Sequence, residues 1–316
     1  MKSIRLDKNI NAAIEEISSG WCFFALKKGA ETLYCGFSAN LPYRLKLIRQ
    51  KGEDDKLYAE LNAEADTLKY QYHHSAISAL VQYKTSILHT APTYQQRVHI
   101  WDSYVYMGID PLHFPFVTLD SHTYGEWFYL GPFRSRFFLA DVMETVSRIL
   151  KIPYFETDTY PSDKQERNLS RGYCLNLDDN PLGNPEASLA KLDILLKEAY
   201  LHPNNGIIDM IQKERDRYFD DLEFEKADLL DDELDLLKRY RDWLNFFYVA
   251  KELCFEMPDL KVENGQITWC VFEGKEYHFP KDLTQYRPKE ALALNLDRVD
   301  EARIIYEYYI KHKEEA

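Results

Sequence analysis

From Ala187 to about Leu253, apolar residues recur every three to four positions, interrupted only at Pro203-Asn204-Asn205-Gly206. Elsewhere the apolar runs are short and bounded by glycine or other turn residues. A 3.6-residue period demands helices, and short bounded runs demand strands, so this chain must join a helical block to small sheets. The expected fold class is therefore α+β, with the Pro-Asn-Asn-Gly break dividing the helical block into a shorter and a longer part.

The first hundred residues read as a small mixed unit. Aromatic-rich strands are expected at Trp21–Leu26 and Thr32–Phe37 around a Lys27-Lys28-Gly29 turn, with helices over Asn11–Ser18, Pro42–Gln50 and Ala76–Leu88. The last two helices rest on apolar spacings of Leu41, Leu45 and Ile48, and of Ile77, Leu80 and Val81. Alternating stretches follow at Tyr104–Gly108 and Phe114–Leu119, after which Gly125–Phe133 carries WFYLGPF and leads into a helix from about Ser135 to Leu150. Pro153, Pro161 and the polar run Ser162–Arg171 read as a loop or linker. Near the C-terminus, Asn264-Gly265 and Glu273-Gly274 are hairpin turn signals beside Ile267–Phe272 and Tyr277–Phe279, which predicts a small antiparallel meander. A closing helix over Asp297–Lys313, capped by Asn295 or Asp297, would bury Val299, Ala302, Tyr306 and Tyr309. These readings divide the chain at 1–98, 99–172, 173–253 and 254–316.

Charge sharpens this division. The 316 residues include 39 basic and 52 acidic side chains, a net charge of −13, which argues against a uniformly basic nucleic-acid-binding surface. Residues 1–100 are nevertheless net +3, while residues 173–253 are net −9. No apolar run approaches the roughly 20 residues that span a bilayer, and the first twenty residues mix Lys, Asp and Glu, so a cytoplasmic protein with no membrane partner is expected. Cys22, Cys35, Cys174, Cys254 and Cys270 are far apart, with no CxxC or paired-His spacing, and suggest neither disulfides nor zinc.

Three stretches carry a resemblance. Gly20-Trp21-Cys22, Leu33-Tyr34-Cys35-Gly36, and Ser38-Ala39-Asn40-Leu41 followed by Arg44 resemble the start of a GIY-YIG nuclease domain, and the helix ending near Pro92, Tyr94 and Gln95 continues it. Trp127–Phe133 resembles the YFGPF-like stretch that follows this domain in the UvrC family of bacterial excision-nuclease subunits. Leu222-Glu223-Phe224-Glu225-Lys226-Ala227-Asp228-Leu229-Leu230-Asp231-Asp232 resembles the UVR motif through which that family meets its helicase partner. The resemblance implies a small mixed-sheet GIY-YIG-like domain, a linking α/β segment and a helical hairpin, ahead of the C-terminal meander and terminal helix read from the turn signals. It also implies an association with DNA nucleotide excision repair.

The resemblance further implies that the chemistry has been lost. Metal-assisted phosphodiester cleavage needs a carboxylate for the ion, a group serving the nucleophile, and cations for the developing charge. In this family tyrosines and a lysine serve the nucleophile, an arginine the phosphate, and a glutamate the metal. Here Cys22 stands for the first tyrosine, Phe37 for the lysine, Tyr83 for the glutamate and Gln95 for the terminal asparagine; Tyr34 and Arg44 match. A phenol does not hold magnesium at neutral pH, so no metal site is expected, and magnesium or manganese enters only if nuclease activity survives. Glu60, Glu64 and Asp66 are the nearest acids in sequence and lie outside the matching helix. Of the family's four iron–sulfur cysteines only Cys174 has a counterpart; the other sites fall near Phe155 or Glu156, Leu182 and Glu186, so no cluster is expected.

What remains are surfaces. Lys27, Lys28, Arg44, Lys46 and Arg49, with Tyr34 and Tyr43, are candidate DNA contacts, as are Arg134 and Arg136 past Gly131-Pro132. Leu222, Phe224, Ala227, Leu230 and Leu234 form a candidate partner-binding stripe ringed by acids, suited to a basic helical surface on a helicase-like repair protein. His73 and His74 lack a metal-spaced partner and read as surface residues. Three functional readings stay open: a non-catalytic repair component that binds DNA or a partner, a divergent endonuclease making a single incision, and a protein-interaction module no longer bound to DNA.

Overall fold

The computed structural model describes residues 1–6, 17–96, 101, 103–110, 116–123, 127–150, 185–281 and 292–313. The helix expected over Asn11–Ser18 lies outside these but for its last two residues. The loop at 153–171 and the Cys174 region also lie outside. The described residues combine helices with three small antiparallel sheets, the mixed α and β class that the periodicity demands. They fall into two compact units: one from residues 1–102, 250–285 and 297–316, the other from 103–249 and 286–296.

The first unit contains β1 (Lys2–Arg5), β2 (Cys22–Lys28), β3 (Glu31–Ser38), α1 (Leu41–Asp54), α2 (Lys56–Glu64), β4 (Thr67–Tyr72) and α3 (Ala76–Thr90). Its sheet has the order β1-β4-β2-β3, which makes β2 a central strand. The helix starts are chemically marked: Asn40 Oδ1 accepts from Tyr43 N at 3.1 Å, Asp55 Oδ1 from Leu57 N at 2.8 Å, and Ser75 Oγ from Ser78 N at 3.3 Å. Across the β2–β3 ladder, Cys22 faces Ser38, Phe24 faces Gly36 and Leu26 faces Tyr34, while Phe23 faces Phe37 and Ala25 faces Cys35. Residues opposite one another share a face, so Cys22, Phe24, Leu26 and Tyr34 lie on one side and Phe23, Ala25, Cys35 and Phe37 on the other.

The C-terminal meander belongs to this unit. β8 (Phe255–Met257), β9 (Leu260–Glu263), β10 (Gln266–Phe272) and β11 (Lys275–His278) follow one another in space, and α8 (Leu296–His312) closes the unit. The two turn signals hold: Asn264, Gly265, Glu273 and Gly274 all have positive φ. At Gly265 a Cβ would come within 2.0 Å of the Ala250 carbonyl oxygen, so only glycine fits. Leu253, Leu260, Val262, Ile267, Cys270, Ile304 and Ile305 share one core with Cys22, Phe24, Leu33, Tyr34, Leu45 and Leu80. Lys84 on α3 and Glu301 on α8 form an ion pair at 2.5 Å with both side chains largely covered, and Lys84 also sits 5.1 Å from the Phe279 ring centre.

The second unit contains β5 (Val105–Ile109), β6 (Val117–Asp120) and β7 (Phe128–Phe133) in the order β6-β5-β7, with α4 (Arg136–Leu150), α5 (Pro185–Leu201), α6 (Ile207–Asp220) and α7 (Phe224–Ala250). Phe133 anchors it, with ring centres 5.8 Å from Tyr240, 5.6 Å from Trp243 and 5.0 Å from Phe247. Residues 292–294 return to this unit: Gly131 N donates to Leu292 O at 3.2 Å, Leu294 N to Gly131 O at 2.8 Å, and Tyr106 OH to Leu294 O at 2.9 Å. Among the described residues no helix is long and apolar enough to cross a membrane.

Candidate functional site

β3 carries four of the positions that matter, Tyr34, Cys35, Gly36 and Phe37; Cys22 lies on β2, Arg44 on α1, Tyr83 on α3 and Gln95 just past α3. Tyr34 is 2% exposed, its ring centre 6.1 Å from that of Phe24. Burial pushes its phenol well above the ordinary range; Tyr58 and Tyr83 push the same way, and the Arg44 guanidinium opposes them. A phenol so raised stays protonated at neutral pH. Arg44 is 5% exposed and lies on the buried side of α1, not on a solvated helix face. Cys22 is fully buried, and burial lifts its thiol to about 12.

Around α3, Phe37, Tyr83 and Gln95 come together. The Phe37 and Tyr83 rings lie 5.0 Å apart, and Tyr83 and Ile87 pack against Phe23, Ala25 and Cys35. Gln95 completes the group. Its Oε1 accepts from Cys35 N at 3.0 Å, and its Nε2 donates to Cys35 O at 3.1 Å and to Tyr83 OH at 3.5 Å. The side-chain amide thus pairs with the outer edge of β3 as a neighbouring strand would. These positions hold an aromatic pair closed by an amide, and this donor set does not fit a divalent ion. Among the described residues no group of three or more His, Cys, Asp or Glu side chains is placed to hold a metal.

The acids noted in sequence do other work. Glu64, the last residue of α2, accepts from Lys28 Nζ at 3.0 Å and from Tyr94 OH at 2.8 Å. These bonds hold its carboxyl below the usual range and raise the Lys28 ammonium. Asp66 lies beyond α2 and accepts from Gly29 N at 2.9 Å. Nothing in the residue pattern announced the Glu64–Tyr94 contact, because it joins positions thirty apart.

The candidate DNA contacts separate by exposure. Lys46, Arg49 and Tyr43 are exposed on α1, Lys28 is exposed but tied to Glu64, Lys27 is half-buried, and Arg44 is in the core. In the second unit Arg136 is exposed and Arg134 half-buried, its guanidinium carbon 5.9 Å from the Trp243 ring centre. Ser135 Oγ accepts from Phe138 N at 3.1 Å at the start of α4. His73 is half-buried rather than on the surface, its Nε2 hydrogen-bonded to Gln82 Oε1 at 2.5 Å, whereas His74 is exposed.

The structure also divides the candidate partner stripe. Ala227 and Leu234 are each 2% exposed and already buried within the second unit, while Leu222 and Phe224 at the α6–α7 turn are 73% and 49% exposed. Leu230 lines a cavity of about 260 Å³ with Arg148, Met210, Ile211 and Glu233. The two helices run side by side from this turn: Arg215 pairs with Asp231 at 3.5 Å, and Lys226 lies 5.1 Å from the Tyr218 ring centre. The exposed tip includes Phe219, which the sequence reading passed over; its ring centre is 5.3 Å from that of Phe224. Its signal was the aromatic pair Tyr218-Phe219 just before the acidic turn.

Compared with known proteins, the chain is 24% identical over 252 residues to the UvrABC system protein C of Fervidobacterium nodosum, a distant UvrC-like relationship. The match covers 78% of this chain and 41% of that protein, so the chain spans about two fifths of the length of the curated relative it matches. No family model matches the chain. No solved structure matches it.

Proposed function

We propose that this chain is a UvrC-like component that acts in or beside DNA nucleotide excision repair without cutting DNA itself, binding DNA through its first unit or a repair partner through the α6–α7 turn. The observation that carries the loss of cutting is the contact between Phe37 and Tyr83, whose rings lie 5.0 Å apart where the family places its lysine and its metal-binding glutamate. An aromatic pair offers neither a hard oxygen ligand nor a cation, so the developing charge of a cleaved phosphodiester would go unmatched. Exposed Lys46, Arg49 and Tyr43 on α1 support DNA contact. The exposed Phe219, Leu222 and Phe224 within an acidic surround support a helical partner with a basic rim, of the kind a helicase-like repair protein would present.

The test is an incision assay with purified protein, magnesium or manganese, and a lesion-bearing duplex. The expected result is salt-sensitive binding and no nick. Nicking that Tyr34→Phe abolishes would overturn the reading in favour of a divergent single-incision endonuclease. No binding at about 50 mM salt, together with capture of a helicase-like partner lost in Phe224→Asp, would favour a protein-interaction module that has left DNA.

A further inference from the structure

The second unit carries a surface apart from both α1 and the α6–α7 turn, and it includes the candidate DNA contacts Arg134 and Arg136. The end of β7 and the first turn of α4 read Phe133-Arg134-Ser135-Arg136-Phe137-Phe138, and α7 lays Arg239 and Trp243, one turn apart, against them. Arg134 stands 5.9 Å from the Trp243 ring centre, and Arg239 stands 5.8 Å from the Phe138 ring centre. Out of this junction projects Phe137, 83% exposed, the most exposed large apolar side chain among the described residues. Leaving a phenylalanine in water forgoes a favourable transfer of about 2 kcal/mol, so such a ring invites a flat apolar face to cover it.

We propose that Phe137 is a stacking platform for the bases of an unpaired nucleic-acid strand, with Arg136, Arg134 and Arg239 holding its phosphates. The proposal rests on the DNA-associated reading above and adds to it the form of nucleic acid that the second unit takes. Arg136 precedes Phe137 in the chain, and Arg134 and Arg239 stand over the rings of Trp243 and Phe138 at the same junction, a cationic surround that suits a polyanion whose bases are free to stack. A duplex does not suit this surface, because its bases already cover one another and a single ring cannot reach their faces. The acids of α7 beside this face are engaged: Asp235 with Lys238 at 3.2 Å and Asp242 with Arg241 at 3.5 Å. Asp141, exposed one turn beyond Phe137 on α4, bounds the cationic area on that side.

The test measures fluorescence anisotropy of the full chain with a labelled oligothymidylate of about 20 nucleotides and with a duplex of the same length. Phe137→Ala is expected to weaken binding of the single strand about fivefold or more and to leave duplex binding unchanged. Phe137→Trp is expected to retain single-strand binding, and Arg136→Gln to reduce the slope of log affinity against log salt by about 0.7. Because Phe137 is exposed, its variants keep the wild-type melting temperature, which separates a lost contact from a lost fold. Equal single-strand affinity for Phe137→Ala and wild type overturns the proposal. If Lys46→Gln/Arg49→Gln removes that binding at the same time, the DNA-associated reading survives alone. If neither probe binds the wild type, both fall. If Phe137→Ala alters only self-association in sedimentation, the surface is a protein contact and the proposal is wrong.

Discussion

Gly36 shows how finely the first sheet is fitted at the level of one residue. It faces Phe24 across the ladder, and a Cβ there would stand 2.5 Å from the fully buried Phe24 ring. Gly36→Ala must therefore displace a core aromatic, and a cost of about 1–3 kcal/mol is expected in denaturant unfolding. The thiols give a second prediction. Burial holds Cys22 at about 12 and Cys35 and Cys270 at about 11, so all three remain neutral thiols through ordinary buffers, whereas Cys254 is exposed. Native alkylation followed by mass mapping should label Cys254 first of these four. Raised folded values mean that the stability these thiols contribute is intact below 9.0 and is lost as pH climbs toward the folded values, so alkaline unfolding should begin in that window. Legibility at this scale was uneven. Motif spacing picked out Tyr34, Arg44, Phe37 and Tyr83, but spacing does not reveal that two of them touch, nor that Gln95 closes a sheet edge sixty residues away.

At the scale of elements, α3 is held from two sides. One side meets β2 and β3 through Tyr83 and Ile87, and elsewhere on the helix Lys84 reaches Glu301 on α8. Burial alone would raise the Glu301 carboxyl, but Lys84, Arg298 and the Ile267 amide together bring it below 4.5. A depressed folded value contributes stability that is present above 4.5 and is lost as pH falls through the folded value, so acid should loosen α8 first. Lys84→Met leaves a covered carboxylate unpaired and is expected to cost about 3 kcal/mol at neutral pH. The double substitution Lys84→Met/Glu301→Leu should recover most of that loss in thermal melts. If the double variant is no more stable than the single, the pair is not what secures α8. Most elements were legible, because helix period, capping residues and Asn-Gly or Glu-Gly turns are local signals. β1 and β4 were not anticipated: Lys2–Arg5 and Thr67–Tyr72 become strands only by pairing across sixty residues, with Lys2 opposite Tyr70.

For the molecule as a whole, the decisive fact is that the first unit is made from both ends of the described chain. Leu253, Val262, Ile267 and Ile305 fill the same core as Phe24, Leu45 and Leu80. A fragment of residues 1–102 should therefore lack a cooperative melt and bind hydrophobic dyes, and adding residues 250–316 in trans should restore sharp near-ultraviolet dichroism. A sharp melt from the fragment alone would show that the meander is dispensable. The uneven charge of the sequence takes a different meaning in this light. More than half of the net −9 of residues 173–253 sits on helices α5, α6 and α7 of the second unit and on the α6–α7 turn, while α1 in the first presents exposed Lys46 and Arg49. The shared core also imposes an order in time. Residues 103–249 leave the ribosome before the chain that completes the first core exists, a delay of about seven to thirty seconds at roughly 5–20 residues per second. Through that interval α1 and α3 can already pack on the first sheet, but the side of α3 that meets β10 and α8 stays uncovered until residues 250–313 follow, which leaves the N-terminal segment open to aggregation in the meantime.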